Sequence, residues 1–229
     1  FSRKEEYRTK AQELSFKALM YDNNLPEAYT AMGLSYFSWG KFEEAAESGR
    51  KAIELNPDDF IAYWILSRIH LTLGNAKEAA ELCRRVIELK PRFYVAYADL
   101  RMALQVIGEM EEADALAIKL ADEVLPTYLL QNPDDSRARM FYAIALAELD
   151  RKDDAIREGM TALEMSPGDS VMLYNGACLY AQLGETRKAV DALRQAIAGG
   201  TDIPGWTKND PDLDPLRDDP EFIALTSGG

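Results

Sequence analysis

The pattern that decides the fold of this chain lies in residues 26–59, which read PEAYTAMGLSYFSWGKFEEAAESGRKAIELNPDD. Its apolar side chains recur three or four residues apart, as in Tyr29, Met32 and Tyr36, which is the spacing of one face of an α-helix. Gly40 then permits the left-handed backbone that ends a helix, and a second amphipathic run follows it. The stretch therefore predicts two helices joined by a tight turn.

The same pattern returns along the chain with a constant step. Pro57 and Pro91 are 34 positions apart, and so are Pro133 and Pro167. A glycine, or in one unit an aspartate, marks each turn, and an alanine follows five residues later, where a small side chain lets two helices cross closely. These alanines are Ala45, Ala79, Ala113, Ala155 and Ala189. Such a step predicts a stack of equivalent helix pairs.

These residues resemble the tetratricopeptide repeat, and the first unit matches it best through Tyr29, Met32, Gly33, Tyr36, Ala45, Ala52 and Pro57. The resemblance implies an all-α, right-handed superhelical solenoid of antiparallel helix pairs. Residues 1–200 would form the array, with a half-repeat at 4–20 and repeats at 26–59, 60–93, 94–135, 136–169 and 170–200. Asn-Pro-Asp-Asp at 56–59 and 132–135 supplies the side chains that start the next helix.

The third unit departs from the pattern in length. Pro126-Thr-Tyr-Leu-Leu is inserted before Asn132, which makes this unit about eight residues too long for the repeat. Because proline interrupts the hydrogen bonds of a helix, we expect the second helix of this unit to reach about Leu125 and then kink or restart. We also expect the insertion to disturb the stacking of repeats and to divide the array into two rigid halves.

Single residues depart from the pattern as well. Arg101 replaces a small residue, and Gly49 and Gly159 stand where a large apolar residue is common. His70 replaces an aromatic residue or leucine on the packing face of a first helix, which favours a core histidine over a functional one.

The composition changes in residues 201–229, which we interpret as a capping tail. Asp-Pro steps at 210–211, 214–215 and 219–220 are typical of the starts of successive short helical turns. Leu213, Leu216, Phe222, Ile223 and Leu225 would cover the apolar face of the last repeat, because the end of a solenoid needs such a lid. The tail is similar to those that close tetratricopeptide arrays in bacterial multidomain kinases and cyclases, which implies a larger parent protein.

The overall charge and hydropathy exclude some classes of partner. A formal net charge of −13 argues against nucleic acid, since phosphate contacts need clustered Lys and Arg. No apolar run approaches the roughly 18 residues of a membrane span. Cys83 and Cys178 both fall in predicted helices, which indicates two buried thiols in place of a disulfide or a reactive site.

No group of residues matches a catalytic or metal-binding pattern. The alternation of Asp210, Asp212 and Asp214 superficially resembles a calcium loop, but it lacks the central glycine and the distal glutamate, so capping is the favoured interpretation. His70 is the one histidine and cannot form a triad or a His-rich site alone. We therefore expect no catalytic residue, no metal and no cofactor.

The resemblance places a partner-binding groove along the first helix of each pair. The side chains expected there are Leu34, Phe37, Trp64, Arg68, Leu71, Met102, Gln105, Met140, Ile144 and Tyr174. Chaperone adaptors of this family clamp a C-terminal carboxylate with Lys and Asn, but Thr30 and Leu34 occupy the first-unit positions here, which argues against that ligand. The groove instead suits a hydrophobic helix or an extended segment anchored by Trp64 and Arg68.

Three hypotheses for the function remain open at this stage. The first is a protein-interaction scaffold that holds a peptide or helical segment of another protein. The second is a regulatory or substrate-recruiting module of a larger enzyme, of kinase or cyclase type, whose catalytic domain lies upstream of Phe1. The third is self-association through the N-terminal half-repeat. Against any groove ligand stands the alternative that packing between repeats, or the chain's own tail, covers the apolar stripe.

Overall fold

The computed structural model describes residues 3–200 and 206–226, and all its regular elements there are helical, with no strand. A π-helical turn covers Leu120–Val124 and a 3-10 helix covers Pro211–Leu216. The α-helices are α1 Arg3–Tyr21, α2 Pro26–Ser38, α3 Phe42–Leu55, α4 Phe60–Thr72, α5 Ala76–Leu89, α6 Tyr94–Ile107, α7 Met110–Lys119, α8 Leu125–Gln131, α9 Ser136–Glu148, α10 Lys152–Met165, α11 Ser170–Gln182, α12 Thr186–Ala198, α13 Trp206–Asn209 and α14 Pro220–Thr226. The all-α prediction is confirmed.

Consecutive helices pack as pairs across short turns. α2 packs on α3 and α4 on α5, and α9 packs on α10 and α11 on α12 in the same way. We call the first helix of each pair the A helix and the second the B helix. The predicted crossing alanines are confirmed, since Ala45, Ala79, Ala113, Ala155 and Ala189 are all buried.

The turn between the two helices of a pair requires a left-handed residue. Gly40 has a φ of 69°, and the amide of the next residue, Lys41, bonds back to the carbonyl of Tyr36 at 3.0 Å, which satisfies the end of the helix. Asp150 takes the same conformation with a φ of 57°, and Arg151 bonds to Leu146 at 2.9 Å. The fourth repeat thus makes the same turn without glycine, because aspartate tolerates the left-handed conformation better than most residues.

Aspartates begin three of the A helices. Asp59 accepts hydrogen bonds from the amides of residues 61 and 62, Asp135 from residue 138, and Asp169 from residues 171 and 172. Each bond satisfies an amide that has no partner inside its own helix. The predicted helix-start role of Asn-Pro-Asp-Asp is confirmed at Asp59 and Asp135.

The insertion in the third repeat neither breaks the helix nor makes it start again. α7 runs through the π-helical turn directly into α8, and Leu120 and Leu125 at its ends keep helical dihedral angles. The amide of Leu125 bonds to the carbonyl of Leu120, five residues back, so the wider turn falls immediately before Pro126. A π-turn is one of the known ways to absorb an irregularity within a helix. The predicted restart near Leu125 was therefore wrong, whereas the predicted kink stays a prediction, because a π-turn is one of the places where a helix bends.

The chain forms two compact units, Phe1–Asp99 and Leu100–Gly229. The boundary falls inside α6, before the insertion, and the described part of the tail belongs to the second unit. The effect of the insertion on repeat stacking stays a prediction. Among the described residues, no helix combines the length and apolar character needed to cross a membrane.

Candidate functional site

The A-helix face of the first unit comprises the predicted groove residues on α2 and α4. Leu34 is 39% exposed, and Phe37, Trp64 and Arg68 are half-buried. Leu71 is buried, so its side chain belongs to the packing of the unit. Phe37 and Trp64 pack against the same buried cluster, which includes Ile65. This face keeps apolar surface in contact with solvent.

Asp99 holds the two predicted anchors of this face. Trp64 Nε1 donates to Asp99 Oδ2 at 2.8 Å, and Arg68 Nη1 donates to Asp99 Oδ1 at 2.9 Å. Asp99 is only 2% exposed, so the guanidinium and the indole compensate for the burial of its charge. The Phe93 ring lies edge-on to Trp64 with ring centroids 5.7 Å apart. Trp64 is thus held in one orientation, and Arg68 is committed to an internal ion pair.

Sequence reasoning missed Asp99. The available signal was a single acidic residue inside the largely apolar α6. Such a residue needs a partner when it is buried, and a cation on a neighbouring A helix is the natural one. Thr30, at the position of the chaperone-adaptor lysine, is also occupied internally, since its hydroxyl bonds to the helix-capping Asp59.

A cavity of about 600 Å³ lies beside α2 and α3 in the first unit. Tyr29, Met32 and Tyr36 line it from α2, and Glu47 and Lys51 line it from α3. These are not the predicted groove positions. The cavity is therefore a second place in the first unit where a ligand could bind, and an experiment has to distinguish it from the A-helix face.

The A-helix face of the second unit holds the other predicted residues, and most of them are covered. Met102, Met140, Ile144 and Tyr174 are buried, and Gln105 is half-buried. Packing between repeats accounts for Met140, whose terminal methyl lies against Gly176 of α11. Buried side chains offer a partner no surface, so this face is closed.

The tail segment, residues 210–216, lies on this second face. Tyr174 donates its hydroxyl to Asp210 Oδ2 at 2.7 Å, and the Cys178 thiol lies 3.8 Å from the same oxygen. Gln182 Nε2 donates to the carbonyl of Asp212 at 3.1 Å. The chain's own tail therefore occupies part of the predicted groove, which is the alternative that sequence reasoning left open.

Arg101 connects the tail segment to two further repeats. Its Nη2 donates to Asp212 Oδ1 at 2.9 Å, and its Nη1 donates to Glu148 at the end of α9. Burial alone would lower the pKa of Arg101, but the charges of Asp212 and Glu148 raise it, so the guanidinium stays charged. The unusual arginine in the third repeat is thus explained by the aspartate that it binds.

Carboxylates outnumber cations in this buried cluster. Burial, together with the charge of Asp212, raises the pKa of Asp210 to about 7, against the lowering effects of Tyr174 and Arg101. Burial likewise raises the pKa of Glu148 to about 8, against the lowering effect of Arg101. Both groups therefore hold a proton at pH values where an exposed carboxyl has lost it.

The rest of the tail partly follows the prediction. Leu213, Leu216 and Phe222 are buried as expected, but Ile223 is 47% exposed because it lies on the outer side of the short helix α14. Asp210 and Asp219 cap the turns that follow them. The step at 214–215 was predicted wrongly, because Pro215 lies inside the 3-10 helix and the exposed Asp214 pairs with Arg217 instead.

Family comparisons bear on the repeats. A model described as Tetratricopeptide repeat matches residues 30–92 and 111–170, and a second model of the same description matches residues 171–198. Together these matches cover more than half of the chain. The chain belongs to the tetratricopeptide repeat family.

Solved structures support the fold of this tetratricopeptide repeat protein. TTC0263, a thermophilic protein of Thermus thermophilus, is 20% identical over 88% of this chain and 98% of its own, with a TM-score of 0.59. A chain of the APC/C hetero-tetramer Cut9-Hcn1 is 17% identical over 97% of this chain and 44% of its own, with a TM-score of 0.64. Likenesses at this identity show the fold alone. The similarity of the tail to those of kinases and cyclases stays a prediction.

One polar cluster of this tetratricopeptide repeat protein has residue types that can bind a metal ion. Cys178, Asp210 and Asp212 offer possible metal ligands within 4.8 Å of one another, but Arg101 and Tyr174 donate to the two carboxylates. Asp214 is not part of this cluster and pairs with Arg217 instead, so the three alternating aspartates do not converge on one site. The repeat fold is typically a non-catalytic scaffold for protein interactions.

The remaining thiol and imidazole are packing groups. Cys83 and Cys178 are both free and buried, as predicted. Burial raises the pKa of Cys83 far above its usual range, which keeps the thiol protonated and unreactive. His70 is half-buried at the end of α4, and its Nδ1 is enclosed without a hydrogen-bond partner among the described residues.

Proposed function

We propose that this protein is an interaction scaffold that binds a segment of another protein on the A-helix face of the first unit. Tetratricopeptide repeat proteins are interaction modules that bind other proteins or peptides, and stacked repeats present extended surfaces for this purpose. The observation that supports this location is the exposure of Leu34 together with half-buried Phe37 and Trp64. Oriented aromatic side chains beside an exposed apolar one are typical of interaction hot spots.

The chemistry of this face suits an apolar ligand. Arg68 is paired with Asp99 inside the unit, so its charge is already compensated internally. Trp64 donates its one N–H to the same carboxylate and therefore offers a partner its ring surface only. We expect a segment that inserts aliphatic or aromatic side chains between Leu34 and Trp64.

A selection from a library of random displayed peptides, followed by affinity measurement, tests this assignment. Leu34→Glu places a charge in the proposed contact without removing any buried side chain. We expect the affinity of selected peptides to fall at least about tenfold, which corresponds to about 1.4 kcal/mol. Leu73→Glu is the matched control, because Leu73 is exposed in the turn after α4 and belongs to no predicted groove position.

The outcome separates this face from other surfaces of the same unit. Equal loss or equal retention of affinity in Leu34→Glu and Leu73→Glu would contradict the assignment. So would peptides whose binding is abolished by Glu47→Lys in the cavity beside α3 and is unaffected by Leu34→Glu.

A further inference from the structure

Polar donors on the second unit converge on the tail segment. Arg101 on α6 and Tyr174 on α11 each donate to an aspartate side chain, and Gln182 donates to a main-chain carbonyl. Leu213 and Leu216 are spaced by one turn of a 3-10 helix, so they lie on one side of it, and both are fully buried. Two acidic side chains of the tail thus each bind a specific donor of the unit, and two leucines are fully buried beside them.

This arrangement exceeds what a terminal lid requires. A lid has to cover the last repeat, and α14 with the buried Phe222 already packs on α12 there. The tail segment reaches further, to Glu148 of the fourth repeat through Arg101 and to Arg101 of the third. It therefore contacts the A helix of the last repeat and Arg101 on the A helix of the third, as a peptide bound along the concave surface of stacked repeats would.

We infer that the A-helix face of the second unit is a recognition site for an acidic segment of a partner protein, with the pattern Asp-x-Asp-Leu-x-x-Leu. In the structure the chain's own residues 210–216 fill this site as an internal ligand. The buried Arg101 selects the second aspartate, Tyr174 selects the first, and the burial of Leu213 and Leu216 selects apolar side chains at those two positions. A partner segment with this pattern displaces the tail.

Charge balance indicates why the internal ligand is displaceable. Arg101 pairs with both Glu148 and Asp212, while Asp210 is buried beside Asp212. Burying Asp210 beside Asp212 costs free energy, whether Asp210 takes up a proton or stays charged without a cation of its own, and this cost offsets part of what the two leucines contribute.

The test converts the tail into a separable ligand. A specific protease site replaces residues 201–205 in the full chain, so cleavage leaves every described contact of the tail in place. Fluorescein-labelled WTKNDPDLDPLRDDPEFIALT, the sequence of residues 206–226, and the shorter DPDLDPL are then added, and fluorescence anisotropy reports exchange. We expect saturable binding of both peptides to the cleaved chain, while the helical circular dichroism signal is retained.

Matched substitutions decide whether recognition is specific. Asp212→Asn in the labelled peptide removes the partner of Arg101, whereas Asp214→Asn changes an exposed aspartate of the same segment. We expect the first to weaken binding at least about tenfold and the second to leave it unchanged. Tyr174→Phe in the protein removes one donor while keeping the ring, and should weaken binding several-fold.

Three results would overturn the inference. No exchange of the labelled peptides, or equal binding of the two aspartate variants, would make the tail a structural lid only. Loss of helical signal after cleavage would do the same, since a displaceable ligand must leave α6, α9 and α11 folded. Light scattering of the uncleaved chain gives the last result. A molar mass that rises with concentration would show that the site binds the tail of a second copy of this chain.

Discussion

Two buried polar residues on the A helices determine which part of the predicted groove stays open. Asp99 draws Trp64 and Arg68 inward but leaves the indole ring partly exposed. Arg101, two residues later on the same helix, binds Asp212 of the tail and so helps to close the A-helix face of the second unit. Single side chains of opposite charge on α6 thus give the two units different surfaces.

The titration of Asp210 gives a prediction at the scale of one residue. Its pKa is raised to about 7 in the folded chain, whereas its ordinary value is 3.8. Between these values the folded state keeps a proton that the unfolded state has lost, so this group makes the free energy of unfolding fall as the pH rises. The groups that face it are Asp212, Tyr174, Cys178 and Arg101.

Asp210→Asn removes the carboxyl group that binds this proton, so it should reduce the dependence of the unfolding free energy on pH. The difference in unfolding free energy between the variant and the unaltered chain should grow with pH, by up to about 1.4 kcal/mol per pH unit for one proton. Urea unfolding followed by circular dichroism at pH 5, 6, 7 and 8 measures it. Asp214→Asn is the control and should run parallel to the unaltered chain. Parallel curves for Asp210→Asn as well would show that Asp210 has an ordinary pKa in the folded state.

Helix packing explains why two repeats lack the large apolar residue that is common at this position of the B helix. A Cβ placed on Gly159 of α10 would lie 2.2 Å from Cδ2 of Leu179, and Leu179 of α11 is itself buried. Gly49 of α3 shows the same arrangement, with Leu66 of α4 beside it. In both places a leucine of the following A helix fills the space that a B-helix side chain would take.

Restoring the usual large residue should therefore destabilise the protein. Gly159→Leu overfills the contact, and overpacking costs about 1–3 kcal/mol, which exceeds the roughly 0.8–1.0 kcal/mol gained in helix propensity. The same change in a Leu179→Ala background should stabilise, because the new side chain enters the space vacated by leucine. A double-mutant cycle by chemical denaturation measures the coupling. Additive effects of the two changes would contradict direct packing between α10 and α11.

At the scale of the whole molecule, local patterns predicted the helix pairs well. Spacing of apolar residues, the turn glycines and the crossing alanines depend on neighbours within one unit, so the sequence shows them directly. Asp150 was placed in its turn for the same reason. The π-helical turn before Pro126 was missed, because a proline indicates an interruption without stating how the chain absorbs it.

The candidate sites were harder to predict because they depend on distant contacts. Arg101 and Asp212 are 111 positions apart, and neither belongs to a motif. The groove positions carried over from the family pattern identify a face of each A helix, but they do not reveal whether packing or the tail covers that face. Exposure of Leu34 and burial of Tyr174 follow from tertiary structure alone.

Hydrogen-exchange mass spectrometry with a selected peptide tests the central claim most directly. A ligand on the A-helix face of the first unit should slow exchange in peptides covering α2 and α4, residues 26–38 and 60–72, because their amides become more protected when the helices are clamped. Exchange in α3, α5 and α1 should change little. Protection confined to α1 or to the B helices, with α2 and α4 unaffected, would contradict the proposed binding surface.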